Sequence, residues 1–142
     1  MKTSNKGIDL IKKYEGFRAK AYRCRANVLT IGFGHTLNVK STDVINKDRA
    51  EYFLRKDVEH AEMEVSKHNL NINQNQFDAL VSFVFNLGVG NFARSTLLRK
   101  IKSNPNDPTI KKEFERWIYA GGKILTGLVR RRKEEADLYF TK

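Results

Sequence analysis

Glu15, Cys24 and Thr30 place a carboxyl, a thiol and a hydroxyl within sixteen residues, with eight residues between the first two and five between the last two. A glycosidic bond is an acetal, and its hydrolysis needs one group to protonate the leaving oxygen and a second to manage the attacking water or the sugar carbon. A carboxyl group supplies that proton near neutral pH only where apolar surroundings or negative potential disfavour its ionised form. Glu15 falls at the edge of an apolar arc with Ile8 and Ile11 and just before Gly16, at a helix C-terminus where the dipole has that sign. A nearby arginine would act the other way. Cys24 lies between Arg23 and Arg25, whose charges favour a thiolate. Taken singly, Glu15 reads as an exposed carboxylate in a last helical turn, Cys24 as a small buried hydrophobe and Thr30 as an ordinary strand residue. The weight lies in the triple.

The elements that must position these groups follow from the pattern of the chain. A first helix spans about residues 4–14, opened by a hydroxyl cap at Ser4 and closed by Gly16. Residues 17–36 lose the helical period and carry Gly32 and Gly34, which predicts a β-hairpin or small sheet. A turn near Ala26-Asn27, where asparagine tolerates positive φ, sets Cys24 and Thr30 roughly opposite one another on the same face. From about Lys47 a charged helix runs to about His68. A more apolar helix starts at Asn73, with Gln76 in capping-box position, and passes through Phe77, Leu80, Val81, Val84 and Leu87 to Gly88. Phe83 and Phe85 fall on its other faces, so protein surrounds it at the centre of a C-terminal lobe. Further helices are expected over about residues 95–102, 108–119 and 128–140, broken by Gly121-Gly122 and Gly127.

Composition bounds the classes open to such a chain. With 142 residues, 40% hydrophobic and 11% aromatic, it can bury the core of one domain, and disorder does not fit. There is no repeat, low-complexity run or linker; Pro105 and Pro108 bracket a short polar turn. The first fourteen residues are too charged and too short in apolar length for a signal peptide or a membrane span, which predicts a cytoplasmic chain. A lone cysteine agrees with a reducing compartment, and no spacing suggests a zinc site. Gly32-Phe33-Gly34 is too short for a nucleotide fingerprint. The formal charge of +11, from 27 basic and 16 acidic residues, predicts attraction to polyanions. Nucleic acid, anionic lipid and bacterial cell-wall polymers all qualify, as does a basic surface that serves solubility alone.

The order Glu15, Cys24, Thr30, set in Glu15-Gly16-Phe17-Arg18 and in the run from Thr30 through Gly32-Phe33-Gly34-His35-Thr36, resembles the phage-type lysozymes, the endolysin family. The similarity continues in Gln76-Phe77-Asp78-Ala79-Leu80, Phe85-Asn86-Leu87-Gly88, Phe92 with Ser95-Thr96-Leu97-Leu98, Trp117 with Gly121-Gly122, and Gly127-Leu128 before Arg130-Arg131-Arg132. Nearly the whole chain is covered. The resemblance implies an α+β, lysozyme-like fold, mostly helical with a small β-hairpin or sheet near the N-terminus and a cleft between two lobes. It implies a single domain over residues 1–142, with a small β-containing lobe at about 16–60 and a helical lobe at about 61–142 plus the N-terminal helix. The implied reaction is hydrolysis of the β-1,4 bond between N-acetylmuramic acid and N-acetylglucosamine in peptidoglycan, leading to host cell lysis, with no metal or organic cofactor.

Carried over by position, Glu15 is the general acid, Thr30 helps place the attacking water, and Cys24 stands where the family usually has aspartate. The family pattern admits either residue there. A thiolate can assist a water, giving inversion, or attack the sugar, giving retention; the first is preferred here. The resemblance also implies that one arginine of the late run, Arg130, supports Glu15, and it points to His35, Phe85 and Ser95 as sugar contacts. Each has a structural competitor: Arg130 to Arg132 as a solvated helix face paired with Glu134 and Glu135, Phe85 as core, Ser95 as a helix cap and His35 as a hydrogen-bonded residue beside the β turn. The resemblance also implies the partners: peptidoglycan as substrate, anionic wall or lipopolysaccharide as an electrostatic associate, a holin for access to the wall, and a monomeric enzyme. Two rivals from other classes are a lysozyme fold that binds peptidoglycan with weak or lost catalysis, and a basic nucleic-acid-binding module.

Overall fold

A computed structural model describes residues 1–142 and shows an α+β chain, mostly helical, with two small antiparallel sheets. Contacts divide it into a β-containing unit, Asp9–Glu59, and a helical unit, Met1–Ile8 with His60–Lys142.

The first helix, α1, spans Asn5–Glu15 and buries Ile8 and Ile11. Its start is tied down by Asp78, which accepts from the Ser4 backbone N–H at 3.0 Å and from the Ser4 hydroxyl. The helix stops at Gly16, whose φ of +72° is the left-handed conformation that glycine adopts at little cost.

In the β-containing unit, β1 (Arg18–Arg23) pairs with β2 (Leu29–Gly32) around a turn in which Asn27 takes φ +60°. Residues 43–45 run antiparallel beside β1 at an isolated bridge between Lys20 and Val44: Ala21 N–H donates to Asp43 O and Ile45 N–H to Ala19 O. The helix α2 (Lys47–Asp57), capped by Asn46, lies on β2 so closely that a Cβ on Gly32 would stand 3.0 Å from that of Ala50.

In the helical unit, α3 (Glu59–Lys67) is followed by α4 (Gln74–Leu87), which starts with the expected Asn73–Gln76 capping box and is buried continuously from Gln76 to Val84. Burial on every face explains why apolar residues recur all round it, and its buried polar residues Asp78 and Ser82 are hydrogen-bonded to Ser4 and Glu135. Around Phe83 the rings of Phe92, Phe114 and Trp117 meet edge-on, with centroids 5.6 to 6.1 Å apart. The remaining elements are α5 (Val89–Ala93), α6 (Thr96–Ser103), α7 (Ile110–Glu115), β3 (Tyr119–Ala120), β4 (Lys123–Ile124) and α8 (Thr126–Tyr139).

Three expectations are corrected. The charged helix expected over residues 47–68 is two helices, separated at Val58; the buried series Ala50, Leu54, Val58, Ala61, Val65 keeps helical spacing across the break and so conceals it. The helix expected to reach residue 119 ends at Glu115, because Ile118, Tyr119 and Ile124 flank a Gly121-Gly122 turn and form a hairpin instead. The third concerns the arginine run. Arg131 and Arg132 are 3% and 0% exposed and Glu135 is fully buried, so only Arg130 belongs to a solvated face.

Candidate active site

All three residues of the triple belong to the β-containing unit. Glu15 is the last residue of α1 and is partly exposed. Its carboxylate lies against Gly34: a Cβ at that glycine would come within 2.9 Å of Glu15 Oε1, and the backbone there takes φ +81°. The approach is produced by a tight loop in which Ile31 and His35 exchange both backbone hydrogen bonds at 2.9 Å. Gly32 and Gly34, both at positive φ, make the loop possible, and Phe33 between them is buried with its ring 5.5 Å from Phe17. Gly34 therefore has a steric role in the site that its place in a short glycine motif did not announce.

Cys24 opens the hairpin turn. Its N–H donates to Val28 O at 3.0 Å, and Asn27 N–H donates back to Cys24 O at 2.8 Å. Thr30 pairs with Tyr22, not with Cys24, so the two are diagonal neighbours; with Cys24 opposite Val28 they still share a face. Hydrogen bonds from the Val28 backbone, the Thr30 side chain and the Ala26 backbone hold the Cys24 thiol below its usual pKa. The Thr30 hydroxyl, 4% exposed as a residue, also donates to Val28 O at 2.9 Å. One hydroxyl proton thus has two acceptors. With a protonated sulfur it serves the Val28 carbonyl, and with a thiolate it can turn to the sulfur.

The other candidates occupy varied surroundings. His35 is buried, with Nδ1 2.8 Å from Asp57 Oδ2 and its ring stacked on Phe53 at 4.2 Å. Both rings border a cavity of about 240 Å³ that also meets Ile31, Leu37 and Arg49. Asp57, 22 residues further along, had no signal in the sequence, since it is one charge among many on α2. Phe85 is half-buried on α4, 6.1 Å from the His60 ring. Ser95 is the N-cap of α6: its hydroxyl accepts from Leu98 N–H at 3.0 Å and donates to Phe92 O at 2.7 Å. Arg130 is exposed on α8. No group of three or more His, Cys, Asp or Glu side chains is arranged to hold a metal ion.

A mostly helical protein with a small N-terminal sheet, a carboxyl at the end of its first helix and a polar pair on the following hairpin has the α+β fold of the lysozyme-like proteins. The family model for phage lysozyme matches residues 12–135, and the chain belongs to that family. It is 43% identical over 145 residues to the endolysin of Acyrthosiphon pisum secondary endosymbiont phage 1, covering 98% of each chain. It is 41% identical to the endolysin of Bacillus phage B103, with 99% of this chain aligned to 55% of that one, so it spans about half of that relative's length. Among solved structures, the muramidase domain of SpmX from Asticaccaulis excentricus superimposes with a TM-score of 0.91 at 32% identity, covering 99% of both chains.

Proposed function

We propose that Glu15 is the general acid, Cys24 the base that assists the attacking water, and Thr30 the hydroxyl that steadies the thiolate and the water, in cleavage of the β-1,4 bond between N-acetylmuramic acid and N-acetylglucosamine. The chain is a phage endolysin, a lysozyme that hydrolyses peptidoglycan. The observation that carries the catalytic reading is the set of hydrogen bonds around Cys24, which favours the ionised sulfur needed for a base at the position usually held by aspartate. In the proposed step the Glu15 carboxyl gives its proton to the leaving glycosidic oxygen while water attacks the anomeric carbon. The thiolate takes one proton from that water and becomes a thiol, and the product has the inverted, α configuration. Exchange with solvent then restores the protonated carboxyl and the thiolate.

Arg130 is assigned a supporting role on the family resemblance, and Phe85, half-buried, is the foremost sugar-contact candidate. The Ser95 hydroxyl and His35 Nδ1 are already engaged inside the protein, so sugar contact by either would add to a structural role. The same resemblance supports a monomer that accumulates in the host cytoplasm, reaches the wall with a holin, and associates through its +11 charge with anionic wall polymers or lipopolysaccharide. No helix is long and apolar enough to cross a membrane.

The test compares wild type, Glu15→Gln and Cys24→Ser by turbidity loss of outer-membrane-stripped Gram-negative cells and by release of reducing ends. Glu15→Gln is expected to lower the rate by about 10²-fold or more, the usual contribution of a positioned acid. NMR of the first-formed product should show the α anomer. An initial β product would instead make the sulfur a nucleophile, and folded wild type that releases no reducing ends would leave a wall-binding protein.

A further inference from the structure

Four large apolar side chains remain in solvent within eleven residues of one another: Tyr119 at 59% exposure, Ile124 at 57%, Leu125 at 38% and Val129 at 40%. Tyr119 and Ile124 are direct cross-strand partners on β3 and β4, so both side chains leave the same face of the hairpin. Leu125 N–H donates to Ile118 O at 3.0 Å and extends the ladder by one pair. The turn residues Gly121 and Gly122 take φ +58° and +78°, and a Cβ on either would meet nothing within 4 Å. The tip therefore stands in open space.

A ladder this short gains little from its own pairing, and its apolar residues are not spent on the core. The contrast with Trp117, two residues earlier, is direct, since that ring packs edge-on against Phe83 at 5.8 Å. Beside the hairpin, Lys111 and Glu115 on α7 and Val129 and Lys133 on α8 border, with Ile118, a cavity of about 300 Å³. Across residues 111–133 the exposed charged side chains are Lys111, Lys112, Arg116, Lys123, Arg130 and Lys133 against Glu115 alone. Glu113 is buried and ion-paired with Lys100 and Arg116.

We propose that this hairpin and its basic rim form a docking surface for an anionic phospholipid bilayer. The aliphatic side chains of Ile124, Leu125 and Val129 beside the turn would enter the boundary between headgroups and acyl chains, with the Tyr119 phenol at headgroup level. Lysine stems lie along apolar surface while their ammonium groups reach lipid phosphates. A nucleic acid would match the charge, but it gives Ile124 and Val129 nothing apolar to enter. The aliphatic exposure favours lipid.

The experiment is co-sedimentation of the full chain with vesicles of phosphatidylglycerol and phosphatidylethanolamine, compared with vesicles of phosphatidylcholine alone. Wild type should partition to the anionic vesicles. Lys111→Gln and Lys133→Gln should each weaken partition about fivefold, as expected for one cation near an anionic surface. The double variant Tyr119→Ser with Ile124→Ser should weaken it about tenfold, with thermal unfolding and peptidoglycan hydrolysis unchanged. Ile124→Thr, which keeps a β-branched residue in the strand, provides the milder variant should the double one not fold, and it should also weaken partition. The proposal is overturned if the hairpin variants bind as wild type does, if phosphatidylcholine is bound equally, or if Lys6→Gln with Lys40→Gln weakens binding as much as the rim substitutions. It is also overturned if, on a Glu15→Gln background, the hairpin variants lose binding to isolated sacculi but keep binding to vesicles. Binding is read without turnover, so its failure leaves the hydrolytic reading standing.

Discussion

Two polar clusters, one in each unit, are built on opposite principles. In the helical unit, Glu135 on α8 is fully buried and accepts from the Ser82 hydroxyl at 2.5 Å and from Arg132 Nη2 at 3.0 Å, with Arg131 Nε 3.3 Å away. Arg131 also donates to Ser82 O, and Arg132 sits with its guanidinium 5.3 Å from the Phe83 ring centroid. In the β-containing unit, the Cys24 cluster rests on one hairpin turn, with donors no more than six residues away in sequence and a partly exposed sulfur. Charges taken fully out of water must be met by many fixed partners or they cost several kcal/mol each. A thiol at a hairpin turn can remain near water, where its ionisation responds to a few local bonds. The first arrangement specifies a packing, and the second leaves a proton able to move.

The largest effect should come from breaking the buried cluster. Glu135→Ala removes the carboxylate that two buried guanidinium groups face, and it should destabilise the protein by about 3–5 kcal/mol in denaturant or thermal unfolding. Replacing the set together, with Glu135→Leu, Arg131→Leu and Arg132→Met, should recover much of that loss, since apolar residues of similar size often serve a core as well. A cost below about 1 kcal/mol for Glu135→Ala would remove the contrast between the two units.

Gly34→Ala should act more locally. The new methyl would stand 2.9 Å from Glu15 Oε1 on a backbone at φ +81°, so both the strain and the displacement fall on the carboxyl proposed as the general acid. About 1–2 kcal/mol of stability should be lost to the left-handed conformation. Turnover should fall by about 10²-fold, the scale of a misplaced catalytic group. Normal kcat with lowered stability would show that Glu15 works without the support of the 31–35 loop.

What the sequence made legible follows the same division. Regular periodicity and cap chemistry placed α1, α4 with its Asn73–Gln76 box, and α6 from Ser95, because those signals act within a few residues. The hairpin turn at Asn27 was legible for the same reason. Partners distant in sequence were not: nothing in the arginine run distinguishes exposed Arg130 from buried Arg131 and Arg132, since the difference arises from Ser82, which meets Arg131, and Phe83, which meets Arg132, on another helix. His35 could be named as a candidate, but its partner Asp57 could not. Gly121-Gly122 reads equally as a helix break or as a two-residue turn, and the β-branched and aromatic residues on both sides decide for the β3–β4 hairpin, with both glycines at positive φ.

The smallest change proposed is also the one that tests the mobile proton. Thr30→Val keeps the shape of the side chain and removes the hydroxyl that hydrogen-bonds Cys24 and donates to Val28 O. Because that bond lowers the thiol pKa, its loss must raise it toward the ordinary value of about 8.5. The rate should rise with pH as the thiolate forms, so the rising limb of the profile should move to higher pH in Thr30→Val and stay near that of wild type in Thr30→Ser, which keeps an equivalent donor. Stability follows the same sign. A depressed native pKa stabilises the fold fully above the unfolded thiol's pKa, and that contribution fades as pH falls through the native value. Thr30→Val should therefore lose its pH-dependent share of stability on the alkaline side and none of it in acid. Ultraviolet absorbance of the thiolate across the titration reads the shift without turnover, and an unchanged midpoint in Thr30→Val would assign Thr30 to the water and leave the Val28 and Ala26 amides to hold the sulfur.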